Sequence, residues 1–384
     1  MDYRVISADD HIDLRWMPPD LWQERLPKDL RERGPRVVEE NAGLPNWVCD
    51  DLTWGPWGAY TAAQGSGAKW ALEAGGELRE GELRPTTPEL RLADMDRDGV
   101  DATVMYGPTD PFIVADVNLR REVYRAYNDW LLDFQSAKPD RLIGAAQLPL
   151  DDPEGSRAEL ERLAKLGFRH FNLMAARAQP PVYDDAWDPF WSLAEEVDIP
   201  IGFHLVVEVR RERREQAPGA DAQHPLVAGA IRTTVNAPGM QLMDPMSGLV
   251  LLGILDKHPN LKLVMAEAGL AWVPHFIQSL DFFCKRVKSG RPVGGATAET
   301  KLPELMPSEY FRRQIWVTFQ DDAAGMHMLD YLNEDRVMWA SDYPHPASTW
   351  PNSQAIIEAQ TSHLSPDTRR KVLAENARKL YGLD

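Results

Sequence analysis

The feature that most constrains the fold is an alternation that recurs along the chain. A short apolar run rich in β-branched residues is followed by a polar or Gly/Pro break and then by an amphipathic stretch. Eight apolar runs follow this pattern, at about 4–9, 100–106, 142–148, 168–174, 199–206, 261–266, 315–319 and 337–341. Each is short enough for a strand buried on both faces. Strands that alternate with helices form parallel α/β folds, so eight of them predict a (β/α)8 TIM barrel.

Helical patterns between these runs agree with that architecture. Residues 117–137 carry apolar side chains at the spacing of one helical face, and Pro139 ends the pattern. Asp152-Pro153 and Ser365-Pro366 are typical helix starts, with Gly167 and Gly382 at the corresponding ends. The 384 residues exceed the roughly 250 of a minimal barrel. We therefore expect one domain over 1–384 that contains an insertion.

Two segments do not follow the repeat. The first, about 18–88, comes after the first predicted strand and is rich in Pro, Gly and Trp. It either roofs an active site at the carboxyl end of the barrel or covers the barrel's flank with its tryptophans. The second, 208–236, is charged and then broken by Pro and Gly, which predicts a long loop after the fifth strand.

Charge and cysteine content exclude several classes of function. The chain has 59 acidic and 42 basic residues and a formal charge of −17, which disfavours nucleic acid and anionic membrane surfaces. A small-molecule partner is predicted instead, and a homo-oligomer is left open. Cys49 and Cys284 are the only cysteines, too few for a disulfide framework or a multi-cysteine zinc site. Without a signal-like or spanning apolar segment, a cytoplasmic location is expected.

Potential metal ligands occur where predicted strands end. Asp9 ends the first run and His11 follows it by two residues, and residues two apart in an extended segment point to the same side. His204 and Asp342 end the fifth and eighth runs. Because the carboxyl ends of barrel strands share one rim, Asp9, His11, His204 and Asp342 are predicted to bind one catalytic divalent ion, zinc or manganese.

Several segments together resemble a known family. They are Ser7-Ala-Asp-Asp-His-Ile-Asp13, Ile201-Gly-Phe-His204, Lys262-Leu-Val-Met-Ala-Glu-Ala-Gly269, Trp339-Ala-Ser-Asp-Tyr-Pro-His345 and Glu375-Asn-Ala-Arg-Lys-Leu-Tyr-Gly-Leu383. They are similar to the amidohydrolase superfamily, in its amidohydrolase-related branch, which also contains aromatic-acid decarboxylases. The resemblance spans nearly the whole chain and implies metal ligation by the same four residues. It also implies that the Asp342 carboxylate handles a proton.

Two positions depart from that family's pattern. The usual first motif is His-x-His, whereas this chain has Asp9-x-His11, which is similar to the carboxylate-x-His of manganese- or zinc-dependent decarboxylases of the branch. Many members carry a catalytic His after the sixth strand, where this chain has Glu267. Glu267 is either a metal-proximal acid/base or extra ligand, or a salt-bridged rim residue. His345 either moves a proton or binds a substrate carboxylate, or it stabilises its loop.

Candidate substrate contacts are less specific. Trp54 and Trp57 in the insertion predict an apolar or aromatic compound. Arg177 and Arg210, beyond the fourth and fifth strands, are either anchors for a substrate carboxylate or exposed charges.

Three functions fit these features. The leading hypothesis is a hydrolase in which metal-activated water attacks an amide, ester or lactone and Asp342 transfers the proton. The alternative is a non-oxidative aromatic-acid decarboxylase on the same fold. A third is a barrel that binds ligands without catalysis, which the presence of all four ligand positions disfavours.

Overall fold

A computed structural model describes residues 2–39, 45–58, 87–108, 112–206, 224–297, 299–345 and 347–383. Its strands are β1 Ile6–His11, β2 Arg36–Val38, β3 Asn46–Cys49, β4 Leu52–Pro56, β5 Ala102–Tyr106, β6 Leu142–Gln147, β7 His170–Asn172, β8 Ile201–Phe203, β9 Leu263–Met265, β10 Ile315–Phe319 and β11 Val337–Trp339.

The α-helices are α1 Leu21–Arg25, α2 Pro88–Asp98, α3 Val117–Ser136, α4 Pro153–Lys165, α5 Asp188–Glu196, α6 His224–Leu251, α7 Ile254–Lys257, α8 Val273–Lys288, α9 Pro307–Gln314, α10 Ala323–Met326, α11 Ser353–Thr361, α12 Pro366–Arg370 and α13 Asn376–Leu380. A π-helical turn, Lys371–Glu375, joins the last two. Among the helices described, none is both long enough and apolar enough to cross a membrane.

The main sheet has eight parallel strands in the order β1-β5-β6-β7-β8-β9-β10-β11. Each of the eight predicted runs overlaps one of these strands, which confirms the predicted barrel. The helices also begin where their signals lie: the Asp152 carboxylate accepts a hydrogen bond from Gly155 N–H at the start of α4. Ser365 caps α12 in the same way.

The first and last strands meet through individual hydrogen bonds near their carboxyl ends. Asp342 N–H donates to the Asp9 carbonyl (2.9 Å), and His11 N–H donates to the Tyr343 carbonyl (2.7 Å). Tyr343 N–H also donates to the Asp10 carboxylate (3.0 Å). We call these three bonds the closure seam. It brings the first and last predicted ligand segments side by side.

The insertion contributes a separate three-stranded antiparallel sheet, β2-β3-β4. Its tryptophans bind the segment that follows β1: Trp47 donates to the Leu14 carbonyl (2.7 Å) and Trp57 to the Met17 carbonyl (2.8 Å). The sheet therefore packs beside the carboxyl end of β1. The prediction for residues 40–44 and 59–86 of the insertion lies outside the described residues.

The loop predicted over 208–236 is wrong from residue 224 onward, because α6 begins at His224. The prediction rested on Pro and Gly residues within 208–236, and the helix contains two further prolines, Pro238 and Pro245. Farther along α6, Leu242, Met246, Leu249 and Val250 are buried in the main core. Packing of this apolar face offsets the cost of the prolines.

Candidate metal centre

The predicted ligands occupy one rim of the barrel. Asp9 and His11 belong to β1, whose pairing with β5 shifts register between Ser7 and Asp10. His204 directly follows β8, and Asp342 lies three residues beyond β11. Their side chains are buried, with exposures of 0–2%. Since parallel strands present their carboxyl ends on the same side, three separate segments of sequence form one site.

Distances between the donor atoms fit a bound cation. Nε2 of His11 lies 3.5 Å from Asp9 Oδ1 and 3.6 Å from Asp342 Oδ1. Nε2 of His204 lies 3.4 Å from Asp9 Oδ1. Ligand atoms bound at about 2.0–2.2 Å around one ion are separated by roughly these lengths.

Several of these atoms, and the second oxygen of Asp342, lack hydrogen-bond partners. Asp9 Oδ1, His11 Nε2, His204 Nε2 and Asp342 Oδ2 are buried and unpaired among the described residues. Buried polar atoms of native proteins are nearly always paired, so unpaired donors and acceptors that converge on one place indicate a missing partner. Imidazole nitrogens and carboxylate oxygens are ligands that suit zinc and manganese. The residues present therefore fit a divalent metal ion.

Backbone carbonyls orient both imidazoles. Nδ1 of His11 donates to the Gly107 carbonyl (3.0 Å), and Nδ1 of His204 donates to the Leu205 carbonyl (2.7 Å). With the proton on Nδ1, each ring keeps its Nε2 lone pair for the site. This arrangement is typical of histidines that bind metal.

His345 connects the buried site to a more exposed carboxylate. Its Nδ1 lies 2.8 Å from Asp342 Oδ1 and its Nε2 lies 2.9 Å from Asp13 Oδ2. The ring also stacks on His11, with centroids 3.9 Å apart. The Asp342 side chain is fully buried, whereas Asp13 is 20% exposed. The three groups form a continuous path for a proton.

Glu267 lies two residues beyond β9 and reaches the same centre. Its Oε2 is 3.6 Å from His204 Nε2 and is unpaired among the described residues. Glu267 N–H donates to Thr318 Oγ1 (2.8 Å), and the Thr318 hydroxyl donates to Asp9 Oδ2 (3.4 Å). The contacts described for Glu267 are with His204 and Thr318, which places its carboxyl at the site.

Carboxylate side chains outnumber cationic side chains in this site. This excess of negative charge shifts the pKa values of several of its residues. Burial raises the pKa of Glu267, and the Asp342 carboxylate raises it further, to about 8. Burial would lower the pKa of His204, but Asp9 and Glu267 raise it to about 9. Burial would raise the pKa of Asp9, but His204 and His11 hold it well below its usual range. Protons bound to Glu267 and His204 thus neutralise part of the negative charge of the site. A divalent cation would neutralise the same charge when bound.

Two residues that supply carboxylates to the site have an unusual backbone conformation. The backbone φ is 51° at Glu267 and 62° at Asp342, values that residues other than glycine seldom adopt. Such conformations cost about 1–3 kcal/mol and are concentrated at functional sites. Both residues follow the end of a barrel strand, where the turn directs their side chains toward the centre.

The predicted substrate contacts have other partners in the structure. Trp54 donates to the Ile113 carbonyl (3.1 Å) and its ring stacks on Phe112, and Trp57 donates to the Met17 carbonyl. Arg177 ends a short 3₁₀ turn, Ala175–Arg177, beyond β7, and its side chain is exposed. Arg210 lies outside the described residues. A substrate role for these four residues stays a prediction.

Asp13 was not singled out from the sequence, although its contact with His345 makes it part of the centre. The available signal was its position two residues beyond His11, on the same side of an extended segment. Its partner lies 332 positions away, a distance over which sequence spacing carries no information.

The class of this protein follows from these features: it is a (β/α)8 barrel whose strand ends present a buried set of histidine and carboxylate groups that could hold a metal ion. The chain belongs to the amidohydrolase family, whose model matches residues 20–383. This confirms the family resemblance seen in the sequence.

Curated relatives of this chain include several decarboxylases. The chain is 27% identical over 318 residues to a gamma-resorcylate decarboxylase of a Rhizobium species, covering 77% of this chain and 87% of the relative. Among solved structures, an amidohydrolase from Mycobacterium avium subsp. paratuberculosis has a TM-score of 0.71 at 20% identity, covering 100% of this chain and 99% of the other. A 5-carboxyvanillate decarboxylase from Novosphingobium aromaticivorans, complexed with manganese and 4-hydroxy-3-methoxy-5-nitrobenzoic acid, has a TM-score of 0.66 at 23% identity and coverage of 100% and 97%. The relatives thus favour the decarboxylase alternative over the hydrolase.

Proposed function

We propose that this chain is a metal-dependent decarboxylase that releases carbon dioxide from a hydroxylated aromatic acid. The observation that carries the proposal is the convergence of unpaired buried atoms from Asp9, His11 and His204, with Asp342 Oδ1 3.6 Å from His11 Nε2. We assign these four residues as the ligands. The relatives named as decarboxylases support this choice of reaction. Manganese is the first ion to test, since the Novosphingobium structure contains it, and zinc is the second.

A divalent ion bound here would hold the substrate carboxylate together with a neighbouring oxygen and would withdraw negative charge from them. Side chains of the protein would carry out the proton transfer that the reaction also needs. The bond between the ring carbon and the carboxyl carbon breaks, its electron pair stays on the ring carbon, and a proton must reach that carbon. The sum is an aromatic carboxylate plus a proton giving the arene and carbon dioxide.

We assign delivery of that proton to Asp342. His345 can return a proton to Asp342, because it lies within hydrogen-bond distance of both Asp342 and the partly exposed Asp13. Solvent protons thereby reach a carboxyl group that is itself fully buried. Glu267 is assigned as the second catalytic carboxyl, since its unpaired Oε2 reaches the same centre.

The proposal is tested by loading the protein with manganese and offering a panel of mono- and dihydroxybenzoates, with a matching panel of lactones and amides. Carbon dioxide release is followed directly, and deuterium from heavy water is sought on the arene by mass spectrometry. We expect carbon dioxide from at least one hydroxybenzoate and one deuterium in its product.

Zinc-loaded protein and chelator-treated protein serve as the metal controls. Formation of a carboxylate from a lactone or amide, with oxygen from water and without carbon dioxide, would replace the proposal by the hydrolase. Inactivity toward both panels with a fully loaded site would refute both reactions for these substrate classes.

A further inference from the structure

Thr318 on β10 joins the proposed ligand Asp9 to the turn that carries Glu267. Its hydroxyl donates to Asp9 Oδ2 (3.4 Å) and accepts a hydrogen bond from Glu267 N–H (2.8 Å). The two partners lie 309 and 51 positions away along the chain. Thr318 is fully buried, and it was not among the site residues predicted from the sequence.

The alternation of side chains along β10 directs Thr318 into the barrel. Trp316, two residues earlier, packs in a core cluster made mainly of strand residues, including Val264. Val317 and Phe319 instead belong to the larger cluster that contains the helices. Side chains two apart in a strand share a face, so Thr318 points inward like Trp316. Because Thr318 lies one residue before the carboxyl end of β10, it reaches the level of the metal centre.

The two partners fix which way the hydroxyl hydrogen points. A hydroxyl has one hydrogen and two lone pairs. The Glu267 amide can only donate, so it occupies a lone pair of Thr318 Oγ1. The hydroxyl hydrogen therefore stays available for Asp9, whose carboxylate oxygen can only accept.

The donor that orients this hydroxyl belongs to a turn that is itself held in place. Besides the bond from Glu267 N–H to the hydroxyl, the Thr318 carbonyl accepts from Gly269 N–H (3.1 Å). Glu267 and Gly269 have φ of 51° and 65°, so the turn has a specific left-handed conformation at both positions. Two hydrogen bonds to Thr318 thus fix the direction from which its hydroxyl is approached.

The two oxygens of Asp9 consequently face different groups. Oδ2 accepts from Thr318, whereas Oδ1 lies 3.5 Å from His11 Nε2 and 3.4 Å from His204 Nε2. The last side-chain torsion of an aspartate is broad, so a carboxylate without such a bond rotates easily. The Thr318 hydroxyl restricts that rotation and keeps Oδ1 directed at the two imidazoles.

We propose that Thr318 is a positioning residue that orients Asp9 Oδ1 toward the bound metal ion. Removing its hydroxyl leaves every proposed ligand in place but releases the Asp9 carboxylate. The inference rests on the metal-binding part of the proposed function and does not depend on which reaction the metal centre catalyses.

Thr318→Val tests this role, because valine has the shape of threonine without its hydroxyl. Thr318→Ala removes the hydroxyl in a smaller side chain, and Thr318→Ser retains it. Thr361→Val is the matched control, since Thr361 is equally buried and its hydroxyl donates to the Ile357 carbonyl within α11. Manganese dissociation constants are measured by isothermal titration calorimetry without substrate. The melting temperature of each metal-free variant reports separately on stability.

We expect Thr318→Val and Thr318→Ala to weaken manganese binding by about 10- to 100-fold, the usual effect of losing a group that orients a metal ligand. Thr318→Ser and Thr361→Val should bind manganese nearly as tightly as the parent.

Unchanged manganese affinity in the hydroxyl-free variants, even with a lower melting temperature, would overturn the proposal and leave Thr318 a structural residue. A serine variant as weak as the valine variant would overturn it too, and so would a parent that binds no manganese. Carbon dioxide release is measured separately on hydroxybenzoates. A parent that binds manganese but releases no carbon dioxide would refute the decarboxylase, while the affinities would still decide the role of Thr318.

Discussion

Replacing Asp342 by Asn separates metal ligation from proton transfer. Asn keeps the shape and one ligating oxygen, and it tolerates the positive φ of 62° at this position. It can still accept the hydrogen bond from His345 Nδ1, but it cannot carry a proton near neutral pH. At saturating manganese we therefore expect turnover to fall by about 100- to 10,000-fold, the usual contribution of acid–base catalysis, which corresponds to about 3–5 kcal/mol of barrier.

The same substitution, Asp342→Asn, should not lower the stability of the metal-free protein, although it lowers turnover. Asp342 adds to the effect of burial in raising the pKa of Glu267, which reports repulsion between the two carboxylates. Removing one of these charges should leave the melting temperature of the metal-free protein unchanged or higher. The increase in melting temperature on adding manganese should shrink, because one anionic ligand is lost.

The assays are carbon dioxide release under saturating substrate and manganese, and thermal unfolding with and without metal. Asp198→Asn is the matched control, since Asp198 also has positive φ, 57°, yet lies at the surface beside Lys262. An Asp342→Asn variant that binds manganese and turns over like the parent would refute the assignment of the proton to Asp342. A variant that loses turnover only through lost metal would reduce Asp342 to a ligand.

Four further outcomes are expected. Removing about one divalent ion per chain with a chelator should abolish activity and lower the melting temperature, and manganese should restore both. Glu267→Gln should lower kcat by at least tenfold at full metal occupancy, measured by carbon dioxide release. Burial lowers the pKa of His170 to about 3 from the usual 6.5, so below about pH 6.5 the unfolded chain binds a proton that the folded chain excludes. Stability in urea should then fall toward pH 3 by up to about 1.4 kcal/mol per pH unit, and less steeply in His170→Gln. Asp152→Ala should cost about 1 kcal/mol in the same assay through loss of the α4 cap, whereas Asp152→Asn should cost less.

The barrel could be predicted because its signals are local. Each strand of the main sheet appears in the sequence as a short apolar run, and caps such as Asp152 lie within a few residues of the helices they start. The metal centre was predictable for a related reason. His11, His204 and Asp342 lie at or just beyond strand ends, and the fold places those ends together.

The remaining errors and omissions depend on contacts between distant residues. Helix α6 was missed over 224–236 because its prolines are visible in the sequence, whereas the buried face farther along it depends on the rest of the fold. Asp13 was missed for the same reason, because its partner His345 lies 332 positions away along the chain.

The closure seam has a consequence for the order of events in folding. The hydrogen bond from Tyr343 N–H to Asp10 joins residues 333 positions apart. At about 5–20 residues per second, a ribosome needs roughly 17–67 s to make the chain between them. Contacts of such long range also form late. Closing the loop between the two residues costs conformational entropy before their contacts stabilise the fold. Asp9 and His11 are therefore made early but meet Asp342 only after the last strand has been made. The proposed ligand set is consequently complete only after the barrel has closed.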